Sequence, residues 1–291
     1  MSLTRAEAEK IPPTRTERIR SLLRTERLPH IWCPACGIGI VLKVFAEAVL
    51  ESGIDPDKHI VVSGIGCAGR ITGYLRLDGY HVLHGRPIPF AVGLKTSRPE
   101  LEVTVISGDG DLLTIGGNHF IHAARRNDDI NVILINNFNY GMTGGQYGAT
   151  TPPGSRTLTS PYGHIEGAFN VPYISAALGA SYVARWSVLH ERELKKSILE
   201  MFTVDGFAVI EVVSPCILYG ELNNIPPLEM MKKFREKCII DHNADLSQID
   251  LDPSFKKPIV LGNFLKIDKP SYQTQYIKLI ERVRGGARGR A

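Results

Sequence analysis

Cys33 and Cys36 stand as C-P-A-C in the stretch HIWCPACGIG, ahead of a run with helical spacing. Two thiols at that interval suit a zinc knuckle, a redox dithiol or half of an iron–sulfur ligand set, and the pair alone does not choose. A second constellation lies further on. SGDGD (107–111) closes one β-branched run and INN (135–137) closes the next, with 25 residues between Gly110 and Asn136. That pattern suits a diphosphate held through a divalent cation. Gly108 and Gly110 let the backbone approach a phosphate closely. N–H groups near the start of the following helix favour an anion. Asp109 and the Asn137 side-chain oxygen are hard donors for Mg²⁺, and the backbone carbonyl of Asn139 offers a third. Magnesium takes few protein ligands and completes its octahedron with phosphate oxygens and water. A lone GDG is usually a turn; GDG at one strand end with NN at the next is specific.

These residues need a frame, and the middle of the chain alternates between two periodicities. Helical spacing marks 40–53, 118–127, 174–180 and the amphipathic 190–202. Short β-branched runs at 59–66, 101–111, 131–137, 181–185 and 207–216 read as strands. The expected fold is α/β, a parallel sheet covered by helices on both faces. Ligands on such sheets bind outside the carboxyl ends of the strands. Those ends carry GIGCAG, SGDGD, NNFNYG and SPC.

Composition sets the outer bounds. The 291 residues are 43% hydrophobic and 22% charged, ordinary for a water-soluble chain. No apolar run approaches the ~18 residues of a membrane span, and the N-terminal stretch has no apolar leader, so a cytoplasmic protein without a membrane partner is expected. Five cysteines are too few for a disulfide scaffold. The net charge of +4 does not by itself call for nucleic acid. Basic residues gather at the ends: Arg5, Lys10, Arg15, Arg18, Arg20, Arg24 and Arg27 in an arm over 1–29, and an Arg/Gly tail, RVRGGARGRA, closing an extension over 226–291. The tail reads as solvated and disordered rather than as an RNA-binding element. The segment between, 30–225, holds every motif above. Cys238 fits none of them and reads as a packed helix residue.

GDG, 25 residues and NN together resemble the thiamine diphosphate motif. The longer series WCPACG, GIGCAGR, HGR, SGDGD, GGNHFIHAARRN, YGMTGGQ and TTPPG, from about Leu28 to Cys216, resembles the β subunit of 2-oxoacid:ferredoxin oxidoreductases. The resemblance implies a diphosphate-binding domain for thiamine diphosphate and Mg²⁺, with Cys33, Cys36, Cys67 and Cys216 as ligands of one [4Fe–4S] cluster. Four thiolates suit structural zinc as well as that cluster, but a thiamine site has a use only for the electron acceptor. The resemblance also places Ile65, Gly66, Cys67 and Ala68 alongside the cofactor, brings His84 into contact with it, sets Gly110, Asp111, Gly141 and Met142 at the diphosphate, and gives Thr143 a hydroxyl to donate there. Arg70 and Arg86 are candidates for coenzyme A or substrate carboxylates, or for surface ion pairs; His119 and His122 read as helix residues outside the chemistry.

The implied activity is oxidative decarboxylation of a 2-oxoacid with coenzyme A, with electrons passing through the cluster to ferredoxin; supplied with a low-potential donor, it can run toward carboxylation. Thiamine enzymes need a glutamate at the aminopyrimidine, and this chain shows no second domain to carry one. The resemblance puts it on an α subunit, in an αβ or α2β2 assembly. The opening LPHIWCPACG favours 2-oxoglutarate, ahead of pyruvate and branched-chain acids. Yet some 2-oxoglutarate enzymes have YGLTKGQ where this chain has YGMTGGQ, so Gly144 stands in place of a lysine that could pair with the distal carboxylate. Two readings from other classes stand beside this one: a non-redox thiamine lyase or synthase with structural zinc, and a zinc-bearing nucleic-acid module that leaves GDG and NN without a purpose.

Overall fold

The computed structural model describes residues 14–252 and 255–288. Eight strands form one sheet: β1 (His59–Ser63), β2 (Asp78–His81), β3 (Glu102–Gly108), β4 (Asn131–Asn136), β5 (Tyr182–Ser187), β6 (Ala208–Val213), β7 (Cys238–Ile240) and β8 (Ile259–Lys266). They lie in the order β2-β1-β3-β4-β6-β5-β8-β7. From β2 to β5 all neighbours are parallel; β8 then runs antiparallel to β5, with β7 parallel to β8. Every residue of β1, β4, β5 and β6 is buried. Burial on both faces is why those runs are apolar throughout rather than alternating.

Two apolar layers cover the sheet. On one face α2 (Ile38–Glu51) packs beside α6 (Glu191–Met201). Ile38, Val41, Leu42, Phe45 and Val49 of α2 recur at helical spacing and are buried together with Ile106, Ile133 and Ile210 from the strands. On the other face lie α3 (Pro87–Ser97), α4 (Gly117–Arg126) and α5 (Val171–Leu178), enclosing Val62, Val105, Phe120, Leu134 and Phe207. Local chemistry fixes their ends. Asn170 caps α5 by accepting from the Tyr173 N–H, Pro172 suits its first turn, and Gly179 stops it at φ +96°. Asn127 ends α4 in the left-handed region.

Of the N-terminal arm, Arg5 and Lys10 lie outside the described residues. The described part is α1 (Arg15–Ser21) with a Thr14–Glu17 capping box, followed by a segment along Gly73–Arg76: the Arg24 N–H donates to the Tyr74 carbonyl at 2.8 Å and the Arg76 N–H to the Leu22 carbonyl at 2.7 Å. Arg15 reaches the buried Glu47 at 2.5 Å. Beyond β6 come α7 (Ile217–Leu222), α8 (Pro227–Lys237) and, after β8, α9 (Tyr272–Arg288).

Two expectations change here. Cys238 is not a helix residue: α8 ends at Lys237, and the run Cys-Ile-Ile pairs with Ile259–Leu261 as β7. The tail is helical as far as Arg288; once α9 is anchored by Gln273 on Asp128 and Asp129, each further turn costs little. Residues 289–291 lie outside the described set. Among the described residues no helix is long and apolar enough to cross a membrane.

Behind the NN turn lies a buried polar network. Arg185 on β5, fully buried, donates through Nε to Glu211 Oε2 on β6 at 2.6 Å and through Nη1 to the Ile249 carbonyl at 2.7 Å. Asn136 donates its amide to Glu211 Oε1 at 2.7 Å.

Candidate active site

The carboxyl ends of β1, β3 and β4 open onto one cleft. Ile65, Gly66, Cys67 and Ala68 line it from the β1 loop, His84 from the β2 loop, and Gly108, Asp109, Gly110 and Asp111 from the β3 end. Asn137, Asn139, Gly141, Met142 and Thr143 complete it from the β4 loop. All the residues named in advance for the diphosphate and its cation therefore share one cavity. Tyr140 also lines it and was not foreseen. Its hydroxyl donates to the Gly110 carbonyl at 3.0 Å, and its ring lies against Gly110 so closely that a Cβ there would sit 2.5 Å from it. A residue with a Cβ at 110 would have to displace that ring.

Asp109 is 3% exposed, and burial pushes its carboxyl up to about 7, against the pull of the Thr150 hydroxyl that donates to it and of nearby backbone N–H groups. Beside it the Asn137 amide oxygen faces two further oxygens, 3.2 Å from Asp109 Oδ1 and 2.7 Å from the Asn139 carbonyl. Turned by half a rotation, the amide would donate to both instead. In that orientation the amide satisfies both oxygens; with its oxygen inward, Asp109, Asn137 and the Asn139 carbonyl would offer a hard cation three donors, and adjacent ligands of an octahedral Mg²⁺ at ~2.1 Å stand about 3.0 Å apart. With the amide oxygen inward, the donors fit the ion in type, and their separations of 3.2 and 2.7 Å bracket that spacing.

Asp111 plays a different part. Its carboxylate is 2% exposed and held on both oxygens. Oδ1 accepts from His84 Nδ1 at 2.5 Å, the Gly85 N–H at 2.7 Å and the Ile65 N–H at 3.2 Å, while Oδ2 accepts from the Ser107 hydroxyl at 2.8 Å. One side chain ties three segments together and orients the His84 ring. Gly64 makes room for it; a Cβ there would lie 2.0 Å from Oδ2.

The four cysteines of the predicted set meet on the side of the cleft toward α2. Cys36 and Cys33 form a tight turn with a 3.1 Å N–H···O bond, Cys67 follows β1, and Cys216 precedes α7. Charge on Cys33, Cys67 or Cys216 would be felt at Cys36, and burial pushes the Cys36 thiol up to about 12 and Cys67 up to about 11. Such sulfurs resist ionisation unless a metal replaces the proton. Among the described residues no three His, Cys, Asp or Glu side chains are close enough to hold a single ion. Four thiolates around one zinc at ~2.3 Å would stand only about 3.8 Å apart. Cys33 is exposed, whereas Trp32 is buried against Tyr74 and donates its indole N–H to the Cys67 carbonyl at 2.8 Å.

Arg70 and Arg86 are exposed and outside the cleft; Arg70 shares a shallow hollow with Arg24, Arg27 and His81. His119 is half-buried and His122 exposed on α4, away from the cavity. Gly144 adopts φ +114°, a region where a lysine would be strained.

Residues 64–212 match the family model described as thiamine pyrophosphate enzyme, C-terminal TPP binding domain. The strand ends that line the cleft thus belong to a thiamine diphosphate-binding domain. The chain is 48% identical over 265 residues to the 2-oxoglutarate synthase subunit KorB of Methanocaldococcus jannaschii, covering 90% of this chain and 97% of that one. It is 39% identical over 229 residues to the 2-oxoacid:ferredoxin oxidoreductase subunit beta of Saccharolobus solfataricus, covering 78% and 72%. Among solved structures, the 2-oxoglutarate:ferredoxin oxidoreductase from Magnetococcus marinus, with 2-oxoglutarate, coenzyme A and succinyl-CoA bound, superimposes with a TM-score of 0.81 at 30% identity over 92% of this chain and 91% of that one. The chain belongs to the family of 2-oxoacid:ferredoxin oxidoreductase β subunits, a family of oxidoreductases.

Proposed function

We propose that this chain is the diphosphate-binding subunit of a 2-oxoglutarate:ferredoxin oxidoreductase. One 2-oxoglutarate and one coenzyme A yield succinyl-CoA and CO₂, and the two electrons released leave singly through a [4Fe–4S] cluster to two ferredoxins. The observation that carries this reading is that Asp109, Asn137 and Asn139 line one cleft together with Cys67, and that Cys33, Cys36 and Cys216 gather around that same cysteine behind it. Thiamine diphosphate supplies the electron sink for decarboxylation. The protein's part is to hold and orient it. Asp109, Asn137 and the Asn139 carbonyl hold Mg²⁺ against the diphosphate. Asp111 fixes His84 so that Nε2 remains free on the cleft side. Cys33, Cys36, Cys67 and Cys216 hold the cluster.

The 2-oxoglutarate assignment draws on the relatives named for that substrate. Among the described residues no lysine or arginine lines the cleft, so the cation for the distal carboxylate comes from the α subunit, as does the activating glutamate. The exposed side chains of Leu83, Ile115 and Met142 around the cleft suit coverage by that subunit.

The test is anaerobic purification with the co-expressed α subunit, followed by iron, sulfide and thiamine analysis and ferredoxin reduction with 2-oxoglutarate, pyruvate and branched-chain acids. A brown protein with four irons per chain and preference for 2-oxoglutarate is expected. Cys67→Ser should lose iron, and Cys238→Ser should keep it. A colourless zinc protein, or iron lost only from the Cys238 variant, would sink the cluster assignment.

A further inference from the structure

Asn139 is only 3% exposed, yet neither its side-chain Nδ2 nor its Oδ1 has a hydrogen-bond partner in the chain. Burying an unpaired amide is costly, and native structures contain few such groups. Its surroundings explain it. The same point beside Gly141 is flanked by Cys216 and Asn139: a Cβ built there would lie 3.3 Å from Cys216 Sγ and 3.5 Å from Asn139 Oδ1. At the other end of the same residue, the backbone carbonyl faces the Asn137 amide at 2.7 Å, within the cation set.

We infer that Asn139 is a positioning residue joining the two halves of the site, with its carbonyl serving the cation and its side-chain amide, turned so that N–H rather than Oδ1 faces the sulfur, donating to Cys216 when that sulfur ligates the cluster. Hydrogen bonds to cluster sulfurs draw off electron density and raise the reduction potential. This rests on the cluster assignment above.

The experiment uses the αβ complex carrying Asn139→Ala or Asn139→Leu, the second keeping the side-chain volume while removing the amide. Both keep the backbone carbonyl, so iron and thiamine contents should match wild type. At a fixed poised potential, followed by electron paramagnetic resonance, the ratio of reduced to oxidised cluster should fall about threefold or more in both. An unchanged ratio in both variants overturns the inference, as does loss of iron from both, which would make Asn139 a packing residue. Absence of iron from the wild-type complex would instead overturn the cluster assignment itself.

Discussion

Asp111→Ala tests whether one buried carboxylate organises the cleft. Four donors meet that carboxylate: the Ile65 and Gly85 N–H groups, His84 Nδ1 and the Ser107 hydroxyl. Ile65 is 43% exposed and can turn to water, and the Ser107 hydroxyl can rotate. The Gly85 N–H is buried and cannot be rehydrated without opening the loop. An orphaned buried donor costs about 1–3 kcal/mol, and the lost charge-assisted bond from His84 adds a comparable amount, so the variant should lose about 3 kcal/mol of stability. The isosteric Asp111→Asn keeps an oxygen toward Gly85 and offers its NH₂ to Ser107, so its loss should be nearer 1 kcal/mol. Gly64→Ala attacks the same contact from the other side, since its methyl would lie 2.0 Å from Oδ2. The double variant Gly64→Ala/Asp111→Ala should therefore cost less than the sum of the two. Urea unfolding of the αβ complex and thiamine diphosphate titration measure both effects. Full additivity, or an Asp111→Ala protein with wild-type stability and affinity, would refute the reasoning.

The remaining predictions concern the cation, the arm and acid. Asp109→Ala removes the one charged oxygen of the three-oxygen set and should be isolated without thiamine diphosphate; wild-type occupancy would remove it from the cation site. Arg18, Arg20, Arg24 and Arg27 lie on the described arm, and Arg24 and Arg27 meet Arg70 in a hollow beside the loop that follows Cys67. Their replacement by Gln should slow reduction of an acidic ferredoxin and flatten its dependence on salt near ~0.1 M, leaving a small uncharged dye unaffected. Arg15 is left intact in that variant because it holds the buried Glu47; an unchanged salt profile would assign the arm to packing alone. Burial brings His59 down to about 4, so the folded chain binds its proton less readily than the unfolded one. Stability should therefore fall as pH drops from about 6.5 toward 4, by on the order of 3 kcal/mol, and His59→Gln should flatten that slope in urea unfolding at pH 7 and 4.5.

What the sequence made legible follows from how strongly each element advertises its burial. The five central strands are β-branched runs buried along their length, and all five were readable to within a few residues. The edge strand β2 is Asp-Gly-Tyr-His with every residue exposed, so no apolar pattern announces it. Helix α3 opens Pro-Ile-Pro-Phe and has little amphipathic contrast, because its turns meet both the sheet and α4. Strand β8 adds to the sheet in reverse through a register shift at Val183/Ala184, which a βαβ alternation gives no reason to expect. In the site, backbone-driven features were readable because GDG and NN dictate them. Tyr140 and the inward turn of Asp111 were not, since each depends on what stands opposite it: the Gly110 backbone for one, the Ile65 and Gly85 amides for the other.

The buried Arg185 bears on how this chain can be cut and rebuilt. It is held by Glu211, which also grips Asn136 next to the cation-facing Asn137, and its other arm takes the Ile249 carbonyl from the far end of the chain. A fragment ending soon after Cys216 would keep every motif by which the family is recognised. It would also strand a guanidinium in the sheet with one of its acceptors gone, leaving its carboxylate partner free to shift against Asn136. Engineers seeking a minimal cofactor module should keep residues through β8, and grafts of the motif-bearing part alone onto another scaffold will need a substitute for Ile249 or an apolar replacement for the whole Arg185–Glu211 pair.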